Sequence, residues 1–173
     1  MNARKRFVCL LMIIALCCLA SGCNETSCTG SDSTGPIGRL VRSTGCKTWE
    51  LATDTDGVAS DQDCIEWRLD APGRLLLTHV NAGFNCCPKF DAVTYVENDT
   101  IFIVERELEG QCDCICLFDL DYEIRDLEPG VYEVIVNQEC LREDDEPLDF
   151  TVDLLTSPSG RHCVERTHYP WGH

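Results

Sequence analysis

The chain has 173 residues, 14 of them cysteine, and sets 30 acidic residues against 14 basic ones, a formal net charge of -16. That length suits one domain with a sizeable core. A surface so acidic repels nucleic acid and anionic lipid head groups, which argues against both as charge-driven partners. In chain order, the first element is an address: Arg4, Lys5 and Arg6 form a positive start, and the apolar run Phe7 to Ala20 follows. This is the pattern of a secretory leader, too short for a helix that must supply about 20 residues to cross a bilayer. Residues 1–22 are therefore expected to be removed. They carry three basic residues and no acid, so the remainder is more acidic still.

Leu19-Ala20-Ser21-Gly22-Cys23 resembles the lipobox of bacterial lipoproteins, with Ala20 where that pattern commonly has Leu. The resemblance implies cleavage before Cys23 and transfer of a diacylglycerol to its thiol, which makes membrane lipid a partner through acylated Cys23. Each buried methylene contributes about 0.8 kcal/mol and stable anchoring takes more than one acyl chain, so a diacyl group suffices. Asn24 in the following position suits sorting to the outer membrane if the host is Gram-negative. Residues 23–38 are rich in Ser, Thr and Gly and read as a flexible tether, with Cys28 inside it. The folded domain is expected over 39–173.

From Cys64 onward, short runs of alternating apolar residues are separated by turn signals, which predicts strands and excludes a helical domain. The predicted strands are Cys64 to Leu69, Arg74 to Val80, Ala92 to Val96, Ile101 to Glu107, Cys112 to Ile124, Val131 to Asn137 and Leu148 to Leu155. Seven strands at this spacing predict a single antiparallel β-sandwich. Pro72-Gly73, Asn98-Asp99 and Pro129-Gly130 mark turns, and Asn98-Asp99 suits a tight hairpin.

The run "QCDCICLFDLDYEI", Gln111 to Ile124, carries the densest chemistry. Side chains on a strand alternate between faces, so Cys112, Cys114, Cys116, Phe118, Leu120, Tyr122 and Ile124 share the core face while Asp119, Asp121, Glu123 and Arg125 point away. Cysteines two apart on a strand sit at the far limit of disulfide geometry with parallel Cβ directions. The adjacent Cys86 and Cys87 are too close for each other, with Cα atoms only about 3.8 Å apart. The two groups therefore complement one another, with Cys64 or Cys140 as a further partner. Cys28, Cys46 and Cys163 complete a set of ten once Cys23 is lipidated, an even number that suits a disulfide framework in an oxidising compartment. The sequence leaves the connectivity open.

The alternative for the same residues is a soft-metal site for copper or zinc, built from Cys86, Cys87, Cys112, Cys114 and Cys116 with His79 nearby. Spacing opposes it, because extended C-x-C-x-C spreads the sulfurs where a C-x-x-C turn converges them. His79 lies on the Leu75 and Leu77 face, where a hydrogen-bonded core histidine is the commoner outcome. Asp54-Thr55-Asp56-Gly57 lacks the acidic first ligand and final Glu of a calcium loop. The acidic run Glu143 to Glu146 reads as a solvated loop. The chain contains no G-x-S-x-G, phosphate-binding glycine loop or H-E-x-x-H, and a non-enzymatic role is expected.

Phe118 to Val136, "FDLDYEIRDLEPGVYEVIV", resembles late strands of immunoglobulin-like or prealbumin-like bacterial sandwiches. Cys46 to Val136, with "HVNAGFNCCP" and "CDCICLFDLDYEI", is similar to a group of uncharacterised cysteine-rich bacterial lipoproteins. That resemblance implies an envelope location and a β fold, without a chemistry. The sequence expectation is a lipid-anchored, disulfide-stapled binding or structural protein of the bacterial envelope, with an envelope protein as a possible partner and no cofactor.

Overall fold

The computed structural model describes residues 36–47, 57–109, 112–139 and 141–171. The leader, Cys23, Cys28 and Cys140 lie outside the described residues, as do Asp54 to Asp56 and His173. Nine strands and no helix occur among the described residues: β1 (Ile37–Ser43), β2 (Gln62–Ala71), β3 (Arg74–Asn85), β4 (Lys89–Glu97), β5 (Thr100–Glu109), β6 (Ile115–Arg125), β7 (Val131–Asn137), β8 (Asp149–Asp153) and β9 (Ser159–Glu165). The all-β class is as expected, but seven strands become nine. β1 starts at Ile37, inside the stretch read as tether, and β9 follows the last predicted strand.

The strands run in the order β8-β7-β5-β4-β1-β6-β3-β2-β9. Between β1 and β4 the ladder is reduced to the pair Ile37 and Tyr95, whereas β1 pairs with β6 from Ile37 to Ser43. The sheet divides there into a five-stranded layer, β1-β6-β3-β2-β9, and a four-stranded layer, β4-β5-β7-β8. One pair departs from the antiparallel expectation: β5 and β7 are parallel, Thr100 opposite Glu133. The chain crosses to the other layer as β6 between them, and a strand that returns after such a crossover runs parallel to its neighbour.

The period-two pattern decides what faces inward. On β6, Phe118, Leu120, Tyr122 and Ile124 are buried in the core with Leu75 and Leu77 of β3 and with Ile101, Ile103, Val134 and Val136 of the four-stranded layer. Each such side chain contributes about 1.5–3 kcal/mol on leaving water. Phe90 of β4 closes this core edge-on against both Phe84 and Phe118, with ring centroids 4.9 and 5.2 Å apart. Turn chemistry sets the register of two hairpins. Gly73 takes a φ of +75° between β2 and β3, and Asn98 and Asp99 take 49° and 61° between β4 and β5. Two successive positive φ values match the right-handed strand twist and suit Asn and Asp.

Candidate functional site

Six of the eight described cysteines gather at one end of the five-stranded layer. Cys86 is joined to Cys114, Cys87 to Cys112 and Cys46 to Cys116, while Cys64 is joined to Cys163. The ladder between β3 and β6 reaches Asn85 and Ile115 and stops there. Cys112 and Cys114 therefore precede the strand that the sequence pattern places them in, and only Cys116 is in the buried core. The reason is local: the Cys86-Cys87 turn leaves the sheet, and its two bridges draw 112–114 out with it. Asn85 shapes that turn, accepting from the Cys87 amide at 3.1 Å and donating to the Cys112 carbonyl at 2.5 Å.

Cys64 is not part of this cluster. It lies directly opposite Cys163 in the antiparallel register of β2 and β9, with Cα atoms 4.1 Å apart, so its partner is set by strand pairing. Cys46 takes the remaining place in the cluster. The Sγ atoms of Cys46, Cys86 and Cys116 lie within 4.8 Å of one another.

His79 does not join the cysteines, because both its ring nitrogens are engaged between the layers. Nε2 is 2.6 Å from Asp63 Oδ1 on β2, and Nδ1 is 2.7 Å from Glu105 Oε1 on β5. Tyr122 donates to the same Glu105 oxygen at 2.7 Å, and Arg166 donates to Asp63 Oδ2 through Nε and Nη2 at 3.0 and 2.7 Å. All of these groups are buried. Burial alone would lower the imidazole pKa, but the charges of Glu105 and Asp63 and their hydrogen bonds outweigh it and push it up to about 10. Asp63 is held below the usual carboxylate range: burial opposes this, and His79, Arg166 and Gln138 outweigh it. Two cations thus balance two carboxylates. This partnership was missed in the sequence, although Glu105 follows Ile101 and Ile103 on the inward beat of β5, a position where a charge demands a buried partner.

The opposite, outer face of the five-stranded layer divides in two. Toward the cysteine end it is covered. A bulge puts Asn81 at a φ of 65°, where its amide nitrogen donates to Ala59 and Gln62 carbonyls at 3.0 and 2.7 Å and its Oδ1 accepts from Lys47 at 2.9 Å. Trp171, fully buried, donates to the Asn81 carbonyl at 2.7 Å and lies where a side chain at Gly83 would stand.

Away from that cover the face is an open trough of about 840 Å³. The residues of this face line up in cross-strand rows. One row runs Arg39, Glu123, Leu76, Arg68 and Ser159, and the next runs Arg42, Asp121, Thr78, Glu66 and Arg161. The second row is paired in alternating sign. Arg42 donates to Asp121 at 2.7 Å, Thr78 to Asp121 at 2.8 Å, and Arg161 to Glu66 through Nε at 2.6 Å. The first row is unbalanced. Glu123, with only 3% of its side chain exposed, accepts from Arg39 at 2.6 Å, Arg74 at 2.7 Å and Arg125 at 3.1 Å. Hydrogen bonds from Arg125 and Arg39, with their charges, hold its carboxyl down to about 2. Five arginines line the trough against three carboxylates, in a chain of net charge -16.

A comparison of the chain with protein-family models, curated proteins and solved structures found no match.

Proposed function

We propose that the chain is a lipid-anchored protein of the bacterial envelope whose domain has a non-catalytic binding role, in keeping with the cysteine-rich lipoproteins it resembles. The observation that carries the binding role is the contrast between the two polar sites. The His79 cluster has the residue types of a proton relay, but it is sealed and spends both imidazole nitrogens on carboxylates. A general base must reach the proton it abstracts. The trough is open, concave and of the size of ligand sites, which run about 300–1,000 Å³. The four disulfides among the described residues suit an oxidising compartment outside the cytoplasm.

Anchoring is tested in cells by labelling with palmitate and by detergent partitioning. The wild type is expected to incorporate label and enter the detergent phase, and Cys23→Ser to do neither. An unlabelled wild type, or a Cys23→Ser protein that still fractionates with membranes, overturns the anchor.

A second reading, soft-metal binding, rests on the approach of the Cys46, Cys86 and Cys116 sulfurs. The ligand set differs from the sequence expectation: Cys46 enters, while Cys87 and Cys112 are paired with each other and His79 is held elsewhere. Thiolates bind metal only when the disulfides are reduced. Thiol count and copper or zinc content of protein taken from the envelope without reductant separate the readings. Free thiols with stoichiometric metal promote this one, and oxidised, metal-free protein ends it.

A further inference from the structure

The geometry points to an acidic polysaccharide, with uronate-type carboxylates along an extended chain, as the ligand of the arginine trough. The inference rests on the binding role proposed above and names the ligand class. The excess of positive charge is local, one arginine more than the carboxylates once Asp70 at the rim, 3.1 Å from Arg74, is counted, and it is built from arginine alone, although the chain has lysines. Guanidinium is the side chain that grips planar oxyanions through a fork of N–H donors. The trough already displays that fork on carboxylates: Arg39 reaches Glu123 Oε2 through both Nε and Nη2, at 3.1 and 2.6 Å. Arg125 gives Glu123 one bond, and Arg68 meets Asp70 only at 3.5 Å. Their side chains are 59% and 64% exposed, so donors remain for a ligand above the floor.

The layout favours a polymer. The cations are carried by β1, β6, β3, β2 and β9, five neighbouring strands, and at about 4.8 Å per strand they span roughly 19 Å. A strand spacing is comparable with the length of one sugar ring, so successive carboxylates would meet successive strands. Other occupants fit less well. Flat bilayers are reached by protruding cations, whereas these lie on a concave floor. Peptides dock on sheets chiefly by backbone pairing at an edge, but the trough lies across the middle of the layer, where the backbone is already paired. A neutral sugar would want an exposed aromatic platform. Trp67 does not provide one, since its ring stacks on Phe150 and occupies the space beside Gly160.

The test uses the full chain in detergent micelles with polygalacturonate as probe, and dextran, polyglutamate, a DNA duplex and anionic phosphatidylglycerol vesicles as comparisons. Wild type is expected to bind polygalacturonate at low salt and to weaken steeply as salt rises. Binding to dextran should be absent, and binding to the other polyanions at least tenfold weaker. Arg68→Gln is expected to weaken binding several-fold and Arg39→Gln with Arg125→Gln at least tenfold. Arg106→Gln, outside the trough on β5, should leave it unchanged. Absence of wild-type binding overturns the inference, as does equal binding of polyglutamate, DNA or vesicles. Equal binding by Arg68→Gln and wild type overturns the site. Palmitate labelling reports separately on the anchored reading, so the two proposals can fail independently.

Discussion

Two sets of paired charges occupy opposite faces of the same layer. Between the layers, Asp63, His79, Glu105 and Arg166 form a closed group with equal numbers of each sign, and every member is buried. On the outer face, Glu123 holds three arginines whose side chains are 46–59% exposed. The residue types are alike and the consequences are opposite. Ions taken out of water must be balanced on the spot, because an unpaired buried charge costs several kcal/mol. Ions that keep their water can remain in excess, and that excess is what a ligand can use.

The difference can be broken first from the inside. Asp63→Ala strands Arg166 and one nitrogen of His79 in the interior, and the expected loss is about 3–5 kcal/mol in urea unfolding under oxidising conditions. A loss below 1 kcal/mol would mean that water enters the cluster and that the two sets are not different in kind.

Covering the outer face is the second lever. Gly83→Ala places a methyl group where the Trp171 ring lies, and overpacking of that kind costs about 1–3 kcal/mol. Gly45→Ala, with open space around it, should not shift the urea midpoint. A tolerated Gly83→Ala would show that the tail lifts off and that the covered end joins the trough.

A pH series sharpens the contrast further. The folded imidazole of His79 titrates near 10 and the unfolded one near 6.5, so the native state holds more protons over that interval. The contribution is full below about pH 6.5 and is lost as pH rises through 10, giving a urea midpoint that declines on the alkaline side. Asp63 adds the opposite limb: its lowered pKa contributes stability above about 3.8 that is lost as pH falls. His79→Gln should remove the alkaline slope. A slope that survives would place its origin elsewhere.

The smallest effect is expected on the outer face. Arg42→Ala removes a pair whose arginine is 68% exposed, and the change should lie within about 0–1 kcal/mol. A larger loss would assign the outer rows to stability instead of binding.

The two faces were not equally legible in the sequence. The inward beat of Phe118, Leu120, Tyr122 and Ile124 and the outward beat of Asp119, Asp121, Glu123 and Arg125 could be read directly, because a strand separates its neighbours by face. β1 and β9 could not be read, since each uses a glycine where an apolar residue would mark the pattern. Gly38 makes room for Thr94, and Gly160 makes room for Trp67. Alternation also says nothing about which strand lies beside which. The parallel pairing of β5 with β7 stayed hidden, as did the meeting of Arg39, Arg74 and Arg125 on one carboxylate. The partner of Cys64, which the sequence left open, was hidden for the same reason: its neighbour across the ladder, Cys163, is 99 residues away.

The position of β1 has a consequence for the order of events as the chain is made. It is the first of the described strands, yet it lies in the interior of the strand order, between β4 and β6. Arg39 waits 84 residues for Glu123. Cys46 emerges 70 residues before Cys116 and Cys64 emerges 99 before Cys163, while Cys86 and Cys87 precede their partners by 28 and 25. Among the eight paired cysteines described, the first two to meet an oxidant, Cys46 and Cys64, are therefore mismatched. Correct assembly requires either that they stay reduced until β6 and, for Cys64, β9 arrive or that an isomerase undoes the early bonds.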